Sequence, residues 1–286
     1  MNVKLAKTAG FCFGVKRAVN MVYSYCNETN EKEAIPVYTF GPIIHNEEVT
    51  KDLERKGVWI INSLEKLSTL PRGKVIIRSH GVSENVYKRI EEAGFEVVDA
   101  TCPFVKKIHK IVRDASARGE MVIIIGDPSH PEVEGICGWA GENIEIINSE
   151  NEAEKIENPK NLPITIVSQT TYNYMKFHKL VEIIKEKGYY INIANTICNA
   201  TNERQLEARQ ISREVDAMIV IGGRHSSNTQ KLYEICKEES ENTYYIQTLV
   251  DLDTSQLQSI DSIGITAGAS TPNNIIEEVQ TNVIRI

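Results

Sequence analysis

Short apolar runs alternate with charged stretches of helical periodicity from one end of the chain to the other. The runs at 75–77, 121–126, 164–167 and 218–222 read as strands. The stretches at 15–25, 84–93, 105–117, 174–187, 202–215 and 273–278 read as helices. Strands that alternate with helices form parallel sheets joined by right-handed crossovers, which predicts an α/β fold.

The pattern also repeats. Strand-like stretches at 3–6, 95–99 and 190–194 run into Cys12, Cys102 and Cys198, and each cysteine precedes a helix-like stretch. The cysteines stand at intervals of 90 and 96 residues. Within each interval a second strand enters a polar loop: 37–41 up to His45, 122–126 up to His130, and 218–222 up to Ser226. A third strand (58–63, 144–149, 244–248) precedes a charged, helix-like stretch. A fourth (75–80, 164–170, 263–270) ends in small polar residues. The prediction is three similar small α/β units with parallel sheets, at 14–99, 100–194 and 195–286. Each crossover returns its strand to the sheet it left, so 95–99 closes the first sheet and 190–194 the second. The N-terminal segment 1–13 then completes the third, giving a pseudo-threefold arrangement. Ligands of open α/β sheets bind beyond the carboxyl ends of the strands. Every polar loop named above lies at such an end, so three inward-facing units would surround one central cavity.

Composition changes this picture little. The chain has 286 residues, 41% hydrophobic and 25% charged, as an ordinary globular protein does. No apolar run approaches the roughly 18 residues of a membrane span. Lys4 and Lys7 stand where a signal peptide has its apolar core, which predicts a cytoplasmic protein with no membrane partner. A net charge of −7 argues against a general nucleic-acid binder.

Six cysteines in a cytosolic chain point to metal binding or catalysis. Cys12, Cys102 and Cys198 occupy corresponding places, and threefold convergence would bring three thiolates together. Soft thiolates suit zinc or an iron–sulfur cluster. Structural zinc takes four ligands, often with a Cys-x2-Cys pair, which this chain lacks. A [4Fe–4S] cluster usually takes four cysteines. On three, one iron stays open to substrate, and this reading is favoured over three buried thiols packing as small hydrophobes. Cys26, Cys137 and Cys236 break the repeat and read as inert thiols.

Among the histidines, His45, His80 and His130 fall in loops at strand ends. His109 and His178 fall in helix-like stretches and read as packing or surface residues, while His225 is unassigned. Ser226, Ser227, Asn228, Ser270, Thr271 and Thr170 place hydroxyls and amides at helix starts. There they either cap helices or, with free backbone N–H groups, bind a phosphate or diphosphate. Arg78 and Arg224 are the cations near these loops. Glu132, beside His130, is either a solvated loop glutamate or a proton donor.

These residues together resemble the 4-hydroxy-3-methylbut-2-enyl diphosphate reductase (LytB-type) family along essentially the whole chain. The resemblance rests on Ala9-Gly10-Phe11-Cys12-Phe13-Gly14-Val15, Ile77-Arg78-Ser79-His80-Gly81-Val82 and Asp99-Ala100-Thr101-Cys102-Pro103. It continues through His130-Pro131-Glu132, Ser168-Gln169-Thr170-Thr171, Asn195-Thr196-Ile197-Cys198, Ser226-Ser227-Asn228 and Gly268-Ala269-Ser270-Thr271-Pro272. It implies one [4Fe–4S] cluster on Cys12, Cys102 and Cys198. The diphosphate would be held by His45, His80, Ser226, Ser227, Asn228 and Ser270, with His130 nearby. Glu132 matches the proton donor and Thr170 a residue that helps relay protons. The implied reaction is a two-electron reductive dehydration of the allylic diphosphate, the last step of the non-mevalonate isoprenoid pathway. Ferredoxin or flavodoxin would supply the electrons, since Gly222-Gly223 lacks the dinucleotide-binding spacing. The rivals are another open-iron enzyme resembling quinolinate synthase, a cluster-containing redox sensor or carrier, and a zinc protein. The Ser226-Ser227-Asn228 loop and His130-Pro131-Glu132 argue against the first, and an electron carrier would need neither an anion cage nor a proton donor.

Overall fold

The apolar runs become the inner strands of three sheets in the computed structural model, which describes residues 2–28 and 35–285. Strand β1 (Asn2–Leu5) leads into α1 (Phe13–Glu28). There follow β2 (Val37–Phe40), α2 (Glu47–Arg55), β3 (Val58–Ile61), β4 (Lys74–Ile77), α3 (Glu84–Glu92) and β5 (Glu96–Asp99). The middle of the chain forms α4 (Pro103–Ala117), β6 (Met121–Ile125), α5 (Pro131–Cys137), β7 (Ile144–Ile147) and α6 (Glu150–Glu154), then β8 (Ile164–Ser168), α7 (Tyr174–Glu186) and β9 (Ile191–Ile193). The last part forms α8 (Asn199–Ser212), β10 (Ala217–Ile221), α9 (Ser227–Glu239), β11 (Thr243–Ile246), β12 (Ser262–Ala267) and α10 (Asn273–Ile284).

The result is three similar α/β units, each with one four-stranded parallel sheet of the same topology. The strand orders are β3-β2-β4-β5, β7-β6-β8-β9 and β11-β10-β12-β1. In the third sheet the closing strand comes from the chain's start, with Asn2 opposite Ser262 and Leu5 opposite Ile265. Strands β6, β8 and β10 are buried at every position, as strands covered on both faces are. That is why their sequences are runs rather than alternations. Each isoleucine so enclosed stabilises the fold by about 1.5–3 kcal/mol relative to leaving it exposed. The closing strands β1, β5 and β9 stay part-exposed and carry polar residues.

By compactness the described residues fall into two bodies. One comprises Met1–Lys16, His45–Val49 and Cys198–Ile286 and contains the β11-β10-β12-β1 sheet. The other comprises Arg17–Ile44 and Thr50–Ile197 and contains the other two sheets. No helix among the described residues is long and apolar enough to cross a membrane.

Two local features differ from the sequence pattern. The charged stretches expected after the third strands are 3-10 helices at Leu64–Thr69, Leu249–Asp251 and Thr254–Leu257, or the five-residue α6. Asp253 bonds its side chain to the Ser255 N–H, a local turn that competes with propagating a helix, whereas Ser149 starts the short α6 by accepting the Glu152 N–H. Conversely, the loops after β2 and β6 open directly into helices α2 and α5, as the loop after β10 is expected to do and does into α9. Glu132 therefore lies in the first turn of α5 rather than in a loop.

Candidate active site

In the first body, the loop after β10 ends at Ser226, which caps α9 by accepting the Thr229 N–H at 3.3 Å. Two glycines let this helix start so close to the sheet. A Cβ at Gly222 or Gly268 would stand 2.3 or 2.0 Å from Thr229 Oγ1. Thr229 Oγ1 also donates to Ser226 Oγ at 3.0 Å. Ser270, after β12, donates to the His45 carbonyl at 3.1 Å and reaches Ser226 Oγ at 3.4 Å. His45 Nδ1 lies 2.6 Å from the His225 carbonyl. A carbonyl only accepts, so Nδ1 carries the proton and Nε2 is the ring's other polar atom. The His225 side chain itself is exposed. Asn228 is buried, and its Nδ2 has no hydrogen-bond partner among the described residues. A helix N-terminus, three serines, a histidine and an unsatisfied amide donor are therefore gathered in this body. Such a set suits an anion with several oxygens.

In the second body, His130 caps α5, its Nδ1 accepting the Glu132 N–H at 3.1 Å. In its neutral form the ring then carries its proton on Nε2. His80 stands edge-on to His130, with ring centroids 5.3 Å apart. Glu132 is 1% exposed. Both of its oxygens accept from Thr170: the backbone N–H at 2.6 Å on Oε1 and the hydroxyl at 2.7 Å on Oε2. Burial raises the carboxyl from 4.5 to about 7, against the lowering effect of those two hydrogen bonds. An acid at that value both holds and releases a proton near neutral pH.

The three repeated cysteines share a local setting. Cys12 directly precedes α1, and Cys102 and Cys198 are the N-cap residues of α4 and α8. All three thiols are part-exposed and in no disulfide. An arginine braces the approach to two of them. Arg17 donates to the Asp99, Ala100 and Thr101 carbonyls at 3.5, 3.4 and 3.2 Å, in the loop before Cys102. Arg204 donates to the Gly10 carbonyl at 2.9 Å, two residues before Cys12. Of the other cysteines, Cys137 is part-exposed as well, whereas Cys26 and Cys236 differ. Cys26 and Cys236 are buried in helices, and burial raises both thiols, Cys236 to about 11. His109 is a core residue stacked on Trp139, with its pKa lowered to about 4 by burial. His178 is on the surface.

The sequence matches the LytB protein family over residues 3–284. The chain belongs to the LytB family. One relative, from Caldanaerobacter subterraneus subsp. tengcongensis, is named 4-hydroxy-3-methylbut-2-enyl diphosphate reductase. It is 46% identical over 283 residues, which cover 98% of this chain and 95% of that protein. A relative of the same name from Clostridioides difficile is 45% identical over 282 residues, 98% of each chain. A solved E-1-hydroxy-2-methyl-but-2-enyl-4-diphosphate reductase from Plasmodium falciparum superposes with a TM-score of 0.91 at 31% identity, covering 99% of this chain and 87% of that one. A structure described as (E)-4-hydroxy-3-methyl-but-2-enyl diphosphate reductase, the terminal enzyme of the non-mevalonate pathway, gives 0.69 at 38% identity over the full length of both chains.

Neither Arg17 nor Arg204 of this LytB chain stands in one of the motifs named above. A signal for Arg204 was present. The buried stripe of α8 is Thr201, Arg204, Gln205, Ala208, Ile211 and Ser212, so polar residues sit where helical spacing puts the core face. The LytB chain's paired glycines after β10 also had a legible purpose, close packing, once a dinucleotide loop had been set aside.

Proposed function

We propose that the chain catalyses the reductive dehydration of 4-hydroxy-3-methylbut-2-enyl diphosphate to isopentenyl and dimethylallyl diphosphate. Membership of the LytB family supports the substrate. The observation that carries the chemistry is Glu132, a buried carboxylic acid held at about 7 with both oxygens on Thr170.

The reaction consumes two electrons and two protons. The allylic C–O bond breaks, the oxygen leaves as water with one proton, and the other proton adds to carbon. Addition at one or the other allylic carbon gives the two products. Glu132 Oε2 is the source of the proton for the departing hydroxyl, with Thr170 Oγ1 as the adjacent link. His130 stands near the diphosphate. The diphosphate is held by His45, Ser226, Ser227, Asn228 and Ser270, with His80 as a further donor. Fixing the diphosphate restrains the allylic end for reaction.

The donor set fits an iron–sulfur group. Three part-exposed thiols occupy equivalent places before helix N-termini, where thiolates are favoured. In this reading Cys12, Cys102 and Cys198 hold one [4Fe–4S] cluster, and segments 14–99, 100–194 and 195–286, completed by 1–13, are the units around it. Such a cluster, when bound, supplies electrons one at a time and a Lewis-acidic iron. A cytoplasmic ferredoxin or flavodoxin is the electron source in the same reading. The test is anaerobic purification followed by titration with the substrate diphosphate. We expect a brown protein whose cluster spectrum changes on addition. A colourless, zinc-loaded protein, or a cluster indifferent to the diphosphate, would overturn the proposal.

A further inference from the structure

Arg204 is 3% exposed, a depth at which an unpaired charge is costly. Its guanidinium donates to two carbonyls, Ala267 at 2.6 Å and Gly10 at 2.9 Å. Nε is buried with no hydrogen-bond partner among the described residues. The nearby carboxylate, Glu207, is engaged elsewhere: it accepts from Lys7 N, Thr8 N and Thr8 Oγ1. The anionic forms of Cys12, Glu207 and Cys198 favour the charged guanidinium, while burial pushes it down to about 10, so it stays protonated at neutral pH. The two carbonyls belong to the loops that matter. Gly10 lies two residues before Cys12, and its φ of +94° favours glycine. Ala267 lies three residues before Ser270, and the Cys12 N–H donates to the intervening Ala269 carbonyl at 3.3 Å. One buried cation thus ties together the Cys12 loop, the Ser270 loop and the helix that Cys198 begins.

We propose that Arg204 is a positioning residue that locks these loops for cluster binding and whose charge raises the reduction potential of the cluster held on Cys12 and Cys198. The proposal rests on the iron–sulfur reading above. A fixed positive charge in a low-dielectric interior stabilises the more negative, one-electron-reduced state. An uncharged side chain gives up that effect, whereas lysine retains the charge but lacks the planar fork with which Arg204 spans the two carbonyls.

The experiment reconstitutes wild type, Arg204→Lys, Arg204→Gln and Arg204→Met anaerobically and measures iron per chain, thermal stability and the cluster's midpoint potential by redox titration. In Arg204→Gln and Arg204→Met we expect a shift of tenfold or more toward the oxidised form in the loaded fraction, about 59 mV for a one-electron couple. In Arg204→Lys we expect lower loading with a potential near wild type. Potentials unchanged in Arg204→Gln or Arg204→Met, with only stability or loading reduced, would overturn the proposal and leave Arg204 a structural residue. Should Arg204→Met fail to load, Arg204→Gln decides. Wild type that takes up no cluster would instead remove the iron–sulfur reading, and this inference with it.

Discussion

A single carboxyl decides most of the chemistry at the residue scale. Glu132 and Thr170 are 38 positions apart, so their pairing could not be read from local sequence. What was legible was the choice of Glu132 as the carboxylate beside a loop histidine. What was not legible was its burial, which comes from packing around α5. Glutamine at 132 resembles the protonated acid in shape, accepting from Thr170 N and donating to Thr170 Oγ1, but it has no proton to give. Glu132→Gln should therefore lower turnover by about 100-fold or more while leaving iron content and diphosphate affinity near wild type. Steady-state kinetics alongside equilibrium binding checks this, and turnover within a few-fold of wild type would remove Glu132 from the reaction.

The same group makes a second prediction. Between about pH 4.5 and 7 the folded chain holds a proton on Glu132 that the unfolded chain has released. The stability this confers is complete below about 4.5 and is lost as pH rises through about 7. Its size is on the order of 3 kcal/mol, at about 1.4 kcal/mol for each tenfold change in proton affinity. Denaturation at pH 5 and pH 8 should show Glu132→Gln gaining on wild type at the higher pH. Parallel pH dependence in the two proteins would mean that Glu132 is ionised throughout.

At the scale of elements, the start of α9 shows how packing prepares a binding site. The serines and Asn228 could be read as caps or as anion ligands, and the structure makes Ser226 a cap while leaving Asn228 Nδ2 unsatisfied. The sequence could not choose because both roles use the same residue types at the same helix end. The helix keeps its place because Gly222 and Gly268 admit Thr229 between two strand ends. Gly268→Ala would put a methyl 2.0 Å from Thr229 Oγ1, so the helix start must move. We expect a loss of about 1–3 kcal/mol in stability and a raised KM for the diphosphate with cluster content intact. Removing the opposing hydroxyl with Thr229→Ala should recover part of both losses in the double variant, a coupling of about 0.5–3 kcal/mol. Strictly additive losses would show that the glycine acts through something other than this contact.

For the whole molecule, the repeat was the most legible feature, because each unit writes the same alternation of buried strand, polar strand end and helix. The short 3-10 segments escaped the pattern because three to six residues are too few to write a helical period. The repeat also makes the three sheet-closing pairings equivalent in physical terms. In two sheets the closing strand follows a helix directly: α3 ends at Glu92 and β5 begins at Glu96, and α7 ends at Glu186 and β9 begins at Ile191. Both turns pass through a glycine of positive φ, Gly94 at 79° and Gly188 at 75°. In the third sheet α10 ends at Ile284 and β1 begins at Asn2, and the pairing is made without that covalent link. A circular permutant can supply the link and break its counterpart. Arg285 would be joined through a glycine and one further residue to Asn2, and the chain opened at Gly188, where the surroundings leave open space. Strand β9 would then pair in its sheet without a covalent link to α7, as β1 pairs with β12 without one to α10. We expect this protein to fold with a circular dichroism spectrum like wild type, to take up iron to the same extent and to turn over substrate. An insoluble or iron-free permutant would show that the β12–α10–β1 connection is not equivalent to the other two.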